Sequence, residues 1–351
     1  MPNTKRRRTH ATARSSRGLL LAGDIGGTHA RLRLYDASHH VVHEAVFSSQ
    51  APSLAAIVGR YLAAQKARVE AAVLGVAGPV VGGIVRATNL PWTADERRLA
   101  RDLDIPKVQL INDLAALAIG CTQIGGASRV VVAKGSAVAG GNVAVIAAGT
   151  GLGEALLIWD GKKFLPCATE GGHSDFGPTT DIELELLAHL RRRVRGGHVS
   201  TEQFLSGPGL GRIYDFLLQR GEEADREHAG KARESAAVAR RLASGDRNAV
   251  IAELGLAGKS RAAAQAVDLF ASVYGAEAGN LVLRGLALGG LYVCGGIAAR
   301  IVPAKKAAFL AAMRNKGRMS RLLTKVPVTL VEDRFVGLVG AGHLAARLAA
   351  E

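Results

Sequence analysis

Asp113 follows an apolar run at residues 108–111, as the second member of the pair Asn112-Asp113. A carboxylate at the carboxyl end of a strand faces the crevice that a sheet edge makes, and the neighbouring amide can hold a hydroxyl. A carboxylate placed there could accept the proton of an attacking alcohol in phosphoryl transfer. That reaction asks the protein for positioning, charge neutralisation and a base rather than covalent chemistry. The same two residues also suit the N-cap of a helix over 114–119. Position alone does not choose between base and cap.

Phosphate needs backbone N–H groups, and three glycine turns could supply them. The first is Asp24-x-Gly26-Gly27-Thr28, where the Thr hydroxyl adds a donor and Asp24 could hold Mg²⁺ through water. The second is Gly149-Thr150-Gly151-x-Gly153, and the third is Gly295-Gly296, where bare backbone could lie flat against a nucleotide. Each alone reads equally as a tight turn. All three flank strands, as a two-part phosphate clamp requires. Other nucleotide signatures fail. Gly258-Lys259-Ser260 ends like a P-loop but has Glu253 where the upstream glycine belongs. Gly340-x-Gly342-x-x-Ala345 stands too near the C-terminus for a βαβ unit.

Hydroxyl-binding candidates are Glu170 and His173 in Glu170-Gly171-Gly172-His173, and Asn89 before Leu90-Pro91, which also fits a pre-proline turn. A metal at His173 lacks a third ligand. His39, His40 and His43 read as a hairpin rim. Glu202 lies inside Ser200-x-x-Gln203, a capping-box pattern that by itself explains a first-turn acid.

The elements that must hold these residues follow a pattern. Strands are predicted at 19–22, 31–35 and 41–47, with the first glycine turn breaking this meander. A helix at 53–67, a strand at 71–76, a helix at 94–102 and the strand 108–111 complete a mixed α/β unit. Strand, glycine turn and strand then recur at 143–148 and 154–159. Thr180-Asp181-Ile182-Glu183 reads as a capping box opening a mainly helical stretch to about residue 288, with the basic run 191–193 closing its first helix. A strand at 291–294, a helix at 303–313, a strand at 326–331 and a helix at 335–350 follow.

A chain of 351 residues favours two lobes over one. Hydrophobic residues at 48% suffice for sizeable cores. The three cysteines have neither disulfide-framework nor metal-ligand spacing, which fits a reducing cytoplasm. The longest apolar stretches, 71–85 and 285–299, are Gly-interrupted and shorter than the ~20 residues of a membrane span. Of the formal +15 charge, six basic residues fall in 1–18, which contains no acid. That segment lacks the apolar core of a secretory signal and is expected to be a disordered extension. The remaining positive balance suits polyanionic substrates.

Seven segments in order give the chain a family resemblance: Ala22-Gly23-Asp24-Ile25-Gly26-Gly27-Thr28, Thr88-Asn89-Leu90-Pro91-Trp92, Ile111-Asn112-Asp113, Gly149-Thr150-Gly151-Leu152-Gly153, Glu170-Gly171-Gly172-His173-x-Asp175-Phe176, Leu205-Ser206-Gly207-Pro208-Gly209-Leu210 and Gly295-Gly296-Ile297. Together they resemble the bacterial glucokinase family of the hexokinase–actin–chaperone ATPase superfamily. The resemblance implies two RNase H-like, actin-like ATPase lobes around a central cleft, the larger C-terminal lobe rich in helices. The expected lobes are 19–112 with 336–351, and 113–335. It implies transfer of the ATP γ-phosphoryl group to the 6-hydroxyl of glucose, with Asp113 as base. Sugar contacts would be Asn112, Asp113, Glu170, His173 and Glu202. Gly26–Thr28 and Gly149–Gly151 would take phosphate, Asp24 would lie near Mg²⁺, and Gly295 and Gly296 by the adenosine. The zinc motif of related sugar kinases is absent from the sequence.

Other readings stay open at this point. Another hexose or a hexosamine could be the acceptor, and polyphosphate the donor. A sugar-sensing DNA-binding regulator needs a domain of about 60 residues that 1–18 cannot supply, so nucleic acid is not an expected partner. A filament-forming actin-like ATPase would share the phosphate turns but ignore sugar. A homodimer is compatible with the sequence.

Overall fold

The computed structural model describes residues 18–86, 90–228 and 235–351. Asn89, and the basic extension apart from Gly18, lie outside them. The first part runs β1 (Leu19–Ile25), β2 (His29–Tyr35), β3 (Val41–Ser48), α1 (Leu54–Gln65) and β4 (Val69–Val76). A small antiparallel sheet of β5 (Val80–Val81), β6 (Ile84–Arg86) and β7 (Thr93–Asp95) follows, then α2 (Glu96–Leu103), β8 (Lys107–Asn112) and α3 (Asp113–Gln123). The second part holds β9 (Arg129–Ala133), β10 (Val143–Ala148), β11 (Leu152–Trp159) and β12 (Phe164–Thr169). Helices α4 (Asp181–Arg191), α5 (Gly207–His228), α6 (Ala236–Ala243), α7 (Arg247–Leu256) and α8 (Arg261–Arg284) come next. The chain ends β13 (Gly290–Cys294), α9 (Gly296–Ala304), α10 (Lys306–Arg314), α11 (Ser320–Leu323), β14 (Val328–Val331) and α12 (Val336–Ala350).

One plan is used twice. The first sheet has the order β3-β2-β1-β4-β8 and the second β12-β11-β10-β13-β14-β9. In each, a three-stranded antiparallel meander is extended by two strands parallel to its first strand, and β9 adds an antiparallel edge to the second. The central strands are nearly continuous apolar runs, as burial on both faces demands: seven residues of β4 are buried. Around α8, Phe270, Tyr274 and Phe309 are fully buried in the largest core. Another core joins α3 and α12 to strands of both sheets, so the C-terminal helix packs back against β1 and β4. This repeated sheet plan is the two-lobed α/β architecture that the family resemblance implies.

Several elements depart from expectation for physical reasons. β1 continues through Gly23 and Asp24 to Ile25, because both neighbours keep pairing: Asp24 is registered against Arg31 on β2 and Gly75 on β4. The helix expected at 303–313 is two, α9, which carries Pro303 in its last turn, and α10, meeting at Lys305, whose backbone leaves the helical region (φ −113°, ψ 28°). Glu183 does not reach back to Thr180. Its carboxylate accepts from the Thr179 N–H at 2.6 Å and hydroxyl at 2.9 Å, one residue earlier than the capping box places it. The short strands β5–β7, β9 and β12 carry too few residues to show a period.

Candidate active site

The site is built where strands end and helices begin. At the end of β8, Asn112 adopts an extended conformation and its Oδ1 accepts from the N–H groups of Leu114 (2.9 Å) and Ala115 (3.2 Å). Asn112 is therefore the N-cap of α3. Its Nδ2 also donates to the Gly78 carbonyl at 3.2 Å, fixing the amide between two segments. Asp113, the first helical residue, is released from capping, although its Oδ1 also lies 2.9 Å from the Leu114 N–H.

Burial dominates the Asp113 carboxyl and, with the nearby Asp24 and Glu170 charges, pushes it up to about 6; the Leu114 N–H opposes this. The group is thus ionised at neutral pH yet basic enough to take a proton. Asp113 shares a cavity of about 640 Å³ with Asn112, Glu170, His173, Glu202, Gly27, Gly149, Thr150, Gly151 and Gly295.

The Glu170 loop is a single 3-10 turn over Gly171–His173, closed by the His173 N–H on the Glu170 carbonyl at 2.9 Å. Glu170 and His173 are both more than half exposed, with Oε2 and Nε2 3.9 Å apart. The turn is tied to the segment carrying Glu202 by Thr201 N–H to Ser174 O (2.9 Å), Phe176 N–H to Val199 O (3.2 Å) and a bridge between Asp175 and Ser200. The Ser200-x-x-Gln203 capping box does not form: a short 3-10 turn stands there with no side-chain cap. Glu202 instead crosses to the second lobe's glycine turn, where its Oε2 accepts from the Leu152 N–H at 3.0 Å.

A second cavity, of about 470 Å³, adjoins the first and shares Gly149 and Thr150 with it. Gly207, Asn248, Gly296, Ile297 and Arg300 are among its other walls. Gly295 lies in the first cavity and Gly296 in the second. Only glycine serves at 295: its φ is +99°, and a Cβ there would sit 2.1 Å from the Ala148 carbonyl oxygen. The N-termini of α3, α5 and α9 all reach these two cavities, at Asp113, Gly207 and Gly296. The second cavity receives the ends of α5 and α9 and, at Asn248, that of α7, three positive helix ends that favour an anion there.

Of the first glycine turn, Gly27 lines the cavity, whereas Asp24, Gly26 and Thr28 do not. Asp24 Oδ2 accepts from Arg31 Nη1 at 3.2 Å, a cross-strand pair set by the β1–β2 register. Burial raises the Asp24 carboxyl and Arg31 opposes the rise. Among the described residues no group of three or more His, Cys, Asp or Glu could hold a metal ion. Asp24, near enough to Asp113 to raise it, fits a cation held mainly by water and phosphate oxygens, the usual habit of Mg²⁺.

Several lining residues carried no sequence signal. Arg86 and Gly78 surround a small sheet of very short strands, and Asn248 and Arg300 lie on helices whose patterns report only packing. His198 also escaped notice. Its Nδ1 is 3.1 Å from Asp175 Oδ1 and its Nε2 3.1 Å from the His173 carbonyl.

Comparisons with known proteins identify the family. The glucokinase family profile matches residues 21–348. The chain belongs to the glucokinase family. A glucokinase of Nostoc sp. is 39% identical over 348 residues, spanning 94% of this chain and 99% of the relative. The crystal structure of a glucokinase from an Antarctic psychrotroph superposes with a TM-score of 0.77 at 31% identity, covering 96% of this chain and all of that one. A glucokinase of Streptomyces griseus from the ROK family, solved with glucose and AMPPNP, shares the fold at TM-score 0.62 and 21% identity, covering 94% of this chain and 100% of that one.

Proposed function

We propose that the cleft transfers the γ-phosphoryl group of ATP to the 6-hydroxyl of glucose, giving glucose 6-phosphate, with Asp113 as general base. Membership of the glucokinase family makes the chain an ATP-dependent hexose kinase. The observation that carries the assignment of parts is that two cavities, one ringed by carboxylates and one by helix N-termini, meet at Gly149 and Thr150. A phosphoryl group crossing that junction travels from an anion-favouring space to one suited to hydroxyls.

In this reading Asn112, Glu170, His173 and Glu202 orient the sugar, and Asn89 joins them on the family pattern. Gly27, of the turn Gly26–Thr28, and Gly149–Gly151 face the phosphates, while Gly295 and Gly296 flank the adenosine. Mg²⁺ near Asp24 would neutralise triphosphate charge. Asp113 takes the 6-hydroxyl proton as the oxygen attacks, and its raised affinity for protons suits that task. The lobes we infer are 19–112 with 336–351, and 113–335. A cytoplasmic setting fits Cys121 and Cys294, whose sulfurs lie 3.6 Å apart as thiols. Among the described residues no helix is long and apolar enough to cross a membrane.

A coupled assay over glucose, mannose and glucosamine, with ATP or polyphosphate as donor, tests this. We expect sugar phosphate to form with ATP and glucose at the highest kcat/KM. ATP hydrolysis indifferent to sugar would overturn the assignment.

A further inference from the structure

Glu154, on β11, takes no part in the reaction above, yet it is only 1% exposed and its Oε1 has no hydrogen-bond donor among the described residues. Its carboxyl lies directly under the sugar loop: a methyl group added at Gly171 would fall 2.2 Å from Glu154 Oε2. The strand around it is sewn to the same loop, since Thr169 Oγ1 donates to the Glu154 carbonyl at 2.9 Å and accepts from the Gly171 N–H at 3.1 Å.

On its other side Glu154 faces α8. Glu277 is 6% exposed, and its Oε1 is held by Arg284 Nη1 at 2.6 Å and its Oε2 by Asn280 at 2.9 Å. Lys316, after α10, donates to Asn280 Oδ1 at 2.7 Å. Arg284 reaches Glu154 Oε2 only at 4.0 Å. The remaining ionisable groups that act on this cluster are Tyr274 on α8 and Glu183 on α4. One guanidinium thus serves two buried carboxyls and is spent on Glu277. A proton supplies the missing donor.

We propose that Glu154 is a positioning residue for the sugar subsite: its buried carboxyl, packed between Glu277 and the loop, props the Gly171-Gly172 turn that presents Glu170 and His173. The inference rests on the sugar-subsite reading given above. Burial and the Glu277 charge raise the Glu154 carboxyl to about 8, against the pull of Arg284. It is therefore the neutral acid at pH 7 and loses its proton at the alkaline edge of the working range. Deprotonation sets a second negative charge against Glu277, while Arg284 is already held by Glu277 and Lys316 by Asn280, and the prop loosens.

The test is KM for glucose from pH 6.5 to 9.5 in the wild type, Glu154→Gln and Glu170→Gln, with unfolding temperatures recorded at each pH. Wild-type KM is expected to rise at least threefold between pH 7 and 9 at little-changed kcat. Glu154→Gln, which keeps a neutral side chain of the same shape, is expected to hold KM within twofold of its own pH 7 value. A flat wild-type profile, or the same alkaline rise in Glu154→Gln, overturns the proposal. Glu170→Gln separates the two readings. If it leaves KM unchanged, the sugar subsite itself is misassigned; if it raises KM while Glu154→Gln follows the wild type, only the Glu154 inference fails.

Discussion

Asp113→Asn isolates the base with little disturbance of shape. The Leu114 N–H keeps its second acceptor, Asn112 Oδ1, so no buried donor is orphaned. What disappears is a charge that the fold holds at a disadvantage. The carboxyl moves from its ordinary 3.8 to about 6, and two such units correspond to about 3 kcal/mol. The sign follows from linkage: the folded state binds the proton more tightly, so that stability is complete below pH 3.8 and is lost as pH rises through 6. At pH 8 the asparagine avoids this penalty while forfeiting a first-turn carboxylate worth about 0.3–1 kcal/mol. The net expectation is a gain of about 2–3 kcal/mol, or roughly 4 °C or more in Tm. Turnover should fall about 10²–10⁴-fold, the usual worth of a general base. Calorimetry and a coupled assay at pH 8, with glucose binding by titration, read all three quantities; the dissociation constant should move less than about tenfold. Wild-type kcat/KM should also decline below pH 6 as the base is protonated. Turnover within tenfold of wild type would remove Asp113 from the mechanism. A fall in Tm alongside lost turnover would show that the charge is stabilising and the reasoning wrong.

Three further substitutions probe the remaining parts. Gly295→Ala forces a Cβ toward the Ala148 carbonyl at a φ of +99°, and should destabilise by roughly 2–4 kcal/mol in urea unfolding. Glu202→Gln can still accept from the Leu152 N–H but removes the charge; steady-state KM for glucose should rise about tenfold, a loss of roughly 1.4 kcal/mol, with kcat less affected. Asn248→Ala, in the second cavity only, should raise KM for ATP several-fold and leave KM for glucose unchanged. An equal rise in both would assign the cavities wrongly.

The sequence made the repeated plan visible because its signals are local. Alternation, a glycine turn and alternation again mark β1–β2 and β10–β11, and Ser53 and Asp95 cap α1 and α2 where helix starts fall near the expected ones. The site was legible only through turns. Gly149–Gly151 and Glu170–His173 stand out as clusters of residues that packing would not choose. The role of Glu202 was hidden because its partner is fifty residues away: a capping-box pattern and a carboxylate reaching Leu152 look identical in one dimension. Arg86, Asn248 and His198 were hidden for the same reason. Their neighbours arrive from other elements, and no spacing along the chain records that.

Base and cap, rival readings of one dipeptide, turn out to be divided between its two residues. Asn112 satisfies the orphan N–H groups of α3 and anchors itself to Gly78, so the helix does not need the carboxylate that follows. Had Asp113 been the N-cap, two backbone donors would have held its charge and kept it a poor base. Placed one residue later, it lies at the positive end of the helix, where the Leu114 N–H and its own N–H draw its affinity for protons down, but burial outweighs them. Asn112→Ala should therefore do more than weaken the helix. The Leu114 and Ala115 N–H groups would turn to Asp113, lowering its proton affinity, and the acid limb of kcat/KM should shift below pH 6 as turnover drops. An unshifted limb would mean that Asn112 and Asp113 act independently.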